Sequence, residues 1–296
     1  MKAYYHNRPR VWRQTLWNWV QLVRLDKPIG IYLLLWPTLM ALWLSSNGHP
    51  SLKNLIIFSL GTILMRSAGC AINDWADRDF DGHVERTQNR PLAKGAMSGK
   101  AALVIFAVLI LFSFFLVCLT NWATIKLSII CLLLATLYPF MKRYTHFPQV
   151  VLGAAYAWSI PMVYSAAEHP INLDCILLYA ASLAWTVAYD TQYAMADKPD
   201  DIKIGVKSTA IFLGRFDKLL IVSMQAFAMT LWVSIGWKLN LNIAYYAGIS
   251  IAIILMIYQY QLIRFRDRGN CIKAFKNNHW VGMALFLGMA IALFRI

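Results

Sequence analysis

Long apolar runs, broken by short and mostly basic polar segments, set the architecture of this chain. The runs fall at Ile29–Ser45, Leu55–Ile72, Ala101–Leu119, Trp122–Phe140, Val150–Ala167, Leu173–Ala196, Leu219–Trp237, Ile243–Ile263 and Trp280–Phe294. Most have roughly 17–24 residues, the length that crosses about 30 Å of hydrocarbon. Inside lipid each backbone N–H and C=O must find its partner within its own segment, so the runs predict helices. The expectation is an all-α, polytopic membrane protein with about nine transmembrane helices in one bundle. Ahead of them Trp12, Leu16, Trp19 and Val23 recur at i, i+4, i+7 and i+11. That spacing predicts an amphipathic helix in the membrane interface within a cytoplasmic or interfacial segment, residues 1–28. No Pro/Gly/Ser-rich linker divides the chain, so residues 1–296 are expected to form a single integral domain. No cleaved leader is expected either.

Composition agrees: 59% of residues are hydrophobic and 14% charged. Of the 28 Lys and Arg, 24 stand at one end of the spans, leaving Lys53, Lys126, Lys238 and Arg295. The 24 begin with Lys2, and basic residues mark the cytoplasmic side. The N-terminus and these connections are therefore expected to face the cytoplasm of a bacterial inner membrane or its equivalent. The net charge of +14 is spread over short loops beside spans and argues against a nucleic-acid partner. The five cysteines show no metal or disulfide spacing, and most lie in apolar runs.

Acids change the picture because there are only 14 of them and they cluster. One cluster runs from Asn73 to Asp81, the other from Asp190 to Asp201, each at the basic end of its span. On a helix Asn73, Asp77 and Asp81 share a face, with Asp74 three residues before Asp77. Carboxylates that close repel, and a divalent cation reverses the sign of the interaction. A single such stretch is equally well a solvated acidic loop. Two on one membrane face, beside Lys and Arg, point to Mg²⁺ and a polyanionic substrate such as a diphosphate. The metal-ligating candidates are Asn73, Asp74, Asp77, Asp81, Asp197 and Asp201. Pro199 disfavours helical geometry at Lys198. The sixth span is therefore expected to end near Asp197, with Asp200 facing solvent and Asp201 in the following loop or a new short helix.

Candidate anion-binding cations lie nearby. Lys203 and Lys207, with Ser208 and Thr209, are within chain reach of a phosphate, and Lys142 and Arg143 follow the fourth span. Arg78 sits inside the first acidic stretch. Arg66 is the unusual one, seven residues before Asn73 and so about 10 Å deeper. An arginine there should face the bundle interior, either paired with Asp190 or holding a substrate carboxylate. Most Trp and Tyr residues read as interfacial anchors. Tyr156, Trp158, Trp185, Tyr189 and Tyr193 are candidates to line a chamber for a carbocation.

The run Gly69-Cys70-Ala71-Ile72-Asn73-Asp74, continuing through Asp77, Asp81 and Arg86-Thr87-Gln88-Asn89-Arg90-Pro91-Leu92, resembles the first signature of the UbiA superfamily of membrane prenyltransferases. Tyr189-Asp190-Thr191-Gln192-Tyr193-Ala194-Met195, with Asp197, Asp201 and Lys203 to Thr209, resembles the second. With Arg24 to Gly30 and Tyr138 to Pro148, the wording is similar to the superfamily's 4-hydroxybenzoate polyprenyltransferases of ubiquinone biosynthesis. The resemblance implies a nine-helix bundle around a central cavity, open to the cytoplasm and sideways to membrane lipids. It implies polyprenyl diphosphate and 4-hydroxybenzoate as substrates. It implies that magnesium-diphosphate is held by Asn73, Asp77 and Asp81 from one side and by Asp197 and Asp201 from the other. Arg143 is then a candidate for the acid's carboxylate. The catalytic candidates are Asp77, Asp81, Asp197, Asp201 and Asp190, the last either assisting the phenol or taking the ring proton, or else serving as a structural partner of Arg66. Lys198-Pro199 departs from the superfamily pattern. Two alternatives stay open: another acceptor, such as a naphthoate or haem, or a cation transporter. Transporters, however, carry such acids near the bilayer midplane.

Overall fold

The computed structural model describes residues 8–79 and 81–294, with side chains from residue 13 onward. Lys2, Arg295 and the side chain of Trp12 lie outside the described residues. The chain forms α1 (Arg8–Leu22), α2 (Ile29–Ser45), α3 (Leu52–Ala76), α4 (Gly99–Cys118), α5 (Trp122–Tyr144) and α6 (Pro148–Ala157). It continues through α7 (Ser159–Ala166), α8 (Leu173–Ile204), α9 (Thr209–Leu213), α10 (Asp217–Lys238), α11 (Ile243–Ile263) and α12 (Arg268–Leu293). No strand occurs among the described residues. Six helical stretches are long and apolar enough to cross a membrane: α3, α4, α5, α8, Thr209–Lys238 and α11. Every one of the nine apolar runs contains helix.

Helix starts follow local chemistry. Ser51, Ser98, Asn121, Asn172, Ser208, Asn242 and Asp267 each accept a backbone N–H of the first turn through the side chain. The fifth run is not one helix but two, α6 and α7, separated at Trp158. Pro161 lacks the N–H that would bond the carbonyl of Ala157, and its ring crowds that carbonyl, so the helix breaks there. Trp158 is held at the break by donating its Nε1–H to Leu127 O at 3.0 Å.

Pro199 has the opposite outcome, a correction to the sequence reading: α8 runs unbroken through it to Ile204. Tertiary contacts override the local preference. Lys198 Nζ bonds Ala210 O at 2.7 Å, and Arg268 bonds Asp200 Oδ2 at 2.9 Å. Gly205, in the left-handed conformation (φ 72°), closes the helix with its N–H on Asp201 O. Asp200 is accordingly buried, not solvent-facing.

Helix α8 is central, with 61% of its apolar window buried against 11% for α4 and for α5. Those two turn Leu111, Phe112, Phe115, Ile129 and Leu133 outward, as lipid-facing helices do. The core of α2, α7, α8, α10, α11 and α12 closes on Trp185, Trp232, Tyr164 and Tyr245. Helix α12 begins twelve residues before the apolar run that announced it. Its polar first half is packed inside, where Gln192, Gln225, Gln259, Asn277 and Asn278 form a hydrogen-bonded amide ladder joining α8, α10, α11 and α12.

Candidate active site

The last turns of α3 and α8 emerge at the same end of the bundle, and the segment after α3 folds across to join them. The bridge is direct: Arg86 grips Asp197 with two hydrogen bonds, Nε–Oδ1 at 3.0 Å and Nη2–Oδ2 at 2.6 Å. Asp200 accepts from the backbone N–H of Glu85 at 3.4 Å, and Arg268 ties Glu85 and Asp200 to the start of α12. Both acidic stretches therefore border one space. It is a cavity of about 1050 Å³ that Asn73, Asp74, Asp190, Asp197 and Asp201 all line.

The acids are met by cations. Lys142 Nζ lies 2.7 Å from Asp77 Oδ2, which also accepts from Asn73 Nδ2 at 3.1 Å. Arg90 reaches Asp81 at 2.7 Å and Asp74 at 3.0 Å. Arg24 bonds both oxygens of Asp74 at 2.9 Å. Burial holds the Asp81 carboxyl above the usual carboxylate range, with Arg90 pulling the other way. Among the described residues Asp190 and Asp201 have no ion-pair partner, and no three His, Cys, Asp or Glu side chains form a ready-made metal cage.

Arg66 lies deeper. Its Nη1 donates to Cys70 Sγ at 2.6 Å, its guanidinium sits 5.9 Å from the Tyr156 ring centre, and its Nε is buried without a partner. It makes no ion pair with Asp190, although both line the cavity. Space for it comes from Gly30, where a Cβ would stand 2.4 Å from Arg66 Nε. Tyr138, Tyr156 and Tyr189 complete this inner part.

Several expected site residues are engaged differently: Asp77 and Asp81 do not line the cavity and are held at its edge by Lys142 and Arg90. Asp74, expected among the metal ligands, has both oxygens engaged by arginine and is 1% exposed. Arg143 does not line the cavity, and its Nη2 donates to Ala76 O at 2.6 Å. Arg78 is turned outward onto Trp75, and Lys203 is exposed beside Asp200, so neither faces the cavity. Lys142, Lys207 and Tyr193 do line it, and the Arg86 guanidinium lies 4.4 Å from the Tyr193 ring centre. Of the aromatic candidates, Trp185 is fully buried against Asn278 and Trp158 is spent on Leu127; neither lines the space. Sequence reasoning gave no role to Arg24, Arg86 or Arg90. The signal was their recurrence on the basic side of a carboxylate-poor chain, which alone does not tell a topology charge from a site charge.

The geometry has counterparts. A protein of Chromohalobacter salexigens named 4-hydroxybenzoate octaprenyltransferase is 51% identical over 276 residues, covering 93% of each chain. The apo structure of a UbiA homolog from Aeropyrum pernix superposes with a TM-score of 0.78 at 24% identity, over 90% of this chain and 98% of that one. A UbiA homolog from Archaeoglobus fulgidus, bound to GPP and Mg²⁺, gives 0.73 at 16% identity over 93% and 99%. The model of the UbiA prenyltransferase family matches residues 34–288. That match takes in both acidic helix ends, the arginines that join them and the helices that carry them, and the chain belongs to the UbiA prenyltransferase family.

Proposed function

We propose that the protein transfers a polyprenyl group from polyprenyl diphosphate to the ring carbon ortho to the hydroxyl of 4-hydroxybenzoate, in ubiquinone biosynthesis. One observation carries the reading. A single cavity holds acids and cations from both helix ends at its mouth, with Arg66 and three tyrosines deeper in. The relative that is 51% identical and named for this acceptor supports the choice of 4-hydroxybenzoate. We infer that the mouth faces the cytoplasm of a bacterial inner membrane, a reading supported by the basic residues that surround it.

The two substrates divide the cavity by charge. The diphosphate belongs at the mouth, where Arg86, Arg90, Lys142 and Lys207 are available to its oxygens. The benzoate carboxylate belongs on Arg66, whose unpartnered Nε and planar guanidinium suit an anion in a place where charge is poorly screened. This gives Arg66 the part that the resemblance implied for Arg143. Asp190 is seven residues before Asp197, as Arg66 is seven before Asn73. Both therefore lie about 10 Å below the mouth.

The allylic C–O bond breaks and its electrons leave with the diphosphate, whose growing charge the mouth cations stabilise. The ring carbon ortho to the hydroxyl forms the new C–C bond. Asp190, free of any ion pair, takes the displaced ring proton and aromaticity returns. Apolar walls keep water from the cation. The donor set fits magnesium: oxygen atoms only, with a substrate diphosphate to supply what the protein does not. Asn73, Asp77 and Asp81 would hold it from one side and Asp197 and Asp201 from the other. When bound, it adds positive charge against the departing diphosphate.

The test is an assay in membranes with polyprenyl diphosphate and 4-hydroxybenzoate, with and without a chelator, the product identified by mass. Prenylated acid should form only without chelator, and Asp77→Ala and Asp197→Ala should each abolish it while the protein stays inserted. Undiminished product in the presence of chelator, or none in its absence, overturns the reading.

A further inference from the structure

We propose that Arg24 and Asp74 are positioning residues that aim Arg90 at the diphosphate, coupling the end of α1 to the reacting centre; the inference rests on the prenyl-transfer reading above. Four side chains form an alternating chain of charge from the N-terminal segment into the site: Arg24, Asp74, Arg90 and Asp81. Arg24 Nη2 meets both oxygens of Asp74 at 2.9 Å, and its Nη1 donates to Gln21 O at 2.5 Å. Arg90 Nη1 then lies 3.0 Å from Asp74 and 2.7 Å from Asp81. Only Nη1 of Arg90 is used in these contacts. Its Nη2 and Nε make no hydrogen bond among the described residues, and Arg90 lines the cavity.

Two further observations mark Arg24 as placed, not incidental. Its backbone is left-handed (φ 59°), a conformation costly for a side chain of this kind and usually left to glycine or asparagine. The turn is also anchored by Leu22, which is fully buried beside Ala71 and Ala102 and packed by Trp75, Leu92 and Met97. The seat of α1 thus fixes Arg24, Arg24 fixes Asp74, and Asp74 fixes the guanidinium facing the substrate. A carboxylate this fully engaged by two arginines is an anchor, not a metal ligand.

The experiment uses the full-length protein reconstituted in nanodiscs, with geranyl diphosphate as the prenyl donor. For wild type, Arg24→Gln, Arg24→Lys and Asp74→Asn, it measures kcat, KM for each substrate and the Mg²⁺ concentration giving half the maximal rate. Arg24→Gln and Asp74→Asn should raise KM for geranyl diphosphate about tenfold, the effect of one misdirected charge-assisted hydrogen bond. KM for 4-hydroxybenzoate and the Mg²⁺ requirement should stay as in wild type, and Arg24→Lys should recover part of the loss. A shifted Mg²⁺ requirement in Asp74→Asn would make Asp74 a ligand and overturn the proposal. So would an unchanged donor KM in Arg24→Gln, or an equal rise in both KM values. Should wild type yield no prenylated benzoate, the functional reading fails by itself. Calorimetric Kd values for geranyl diphosphate with the same four proteins then decide the Arg24 proposal: about tenfold weaker binding in Arg24→Gln supports it, and equal binding overturns it.

Discussion

Arg66 shows how one side chain's role depends on an atom that another residue lacks. Its guanidinium occupies the space that a Cβ at residue 30 would take, 2.4 Å from Nε. Gly30→Ala should therefore displace the guanidinium and raise KM for 4-hydroxybenzoate about tenfold, leaving the donor KM alone. Steady-state kinetics with each substrate varied in turn checks this. On the proposed mechanism Asp190 acts on the chemical step instead. Asp190→Asn keeps the shape but cannot accept a proton, so kcat should fall on the order of a hundredfold with both KM values little changed. At this scale the sequence was informative about residue type and incomplete about partner. Arg66 stood out because charge is rare inside an apolar run, whereas the choice between Asp190 and a substrate anion depended on distances that spacing does not hold. Arg143 and Lys142 are neighbours in the chain, yet Lys142 faces the cavity and Arg143 turns to the end of α3. A helix puts adjacent residues about 100° apart, and which of the two faces inward depends on the neighbouring helix.

Among the elements, α8 carries the most of the site and departs furthest from the local rules. Its extension past Pro199 sets Asp197, Asp200 and Asp201 on one rigid helix instead of across a loop. The stop comes at Gly205, whose positive φ only glycine adopts without strain and where no neighbour crowds a Cβ. Gly205→Ala should therefore cost about 1 kcal/mol through backbone strain alone, and Gly205→Asn less. Thermal unfolding of the purified protein in detergent reads the difference. Apolar length and cap residues made the helices legible, because hydrocarbon thickness and unpaired N–H groups act locally. The start of α12 was not legible: Asn277 and Asn278 look like loop residues until the amides of α8, α10 and α11 are placed opposite them. Pro161 and Pro199 differ for the same reason. Tertiary contacts hold the helix together around Pro199, whereas beside Pro161 the Trp158–Leu127 bond holds the break.

For the molecule as a whole, the asymmetry of basic residues bears on both the proposed orientation and the site. A cysteine-free background with Lys203→Cys or Ile171→Cys, both exposed positions, should separate the two faces. Membrane-impermeant maleimide added outside intact cells should label Ile171→Cys and spare Lys203→Cys; the reverse pattern would invert the orientation. The cavity's outer side has a consequence of its own. Phe114 and Ile129 line the cavity and are also 48% and 56% exposed at the molecular surface, so no protein layer closes it there. A tail threading past them meets acyl chains, not a floor. On the prenyl-transfer reading this side of the cavity then sets no ruler, and the length of the isoprenoid is left to the donor supplied.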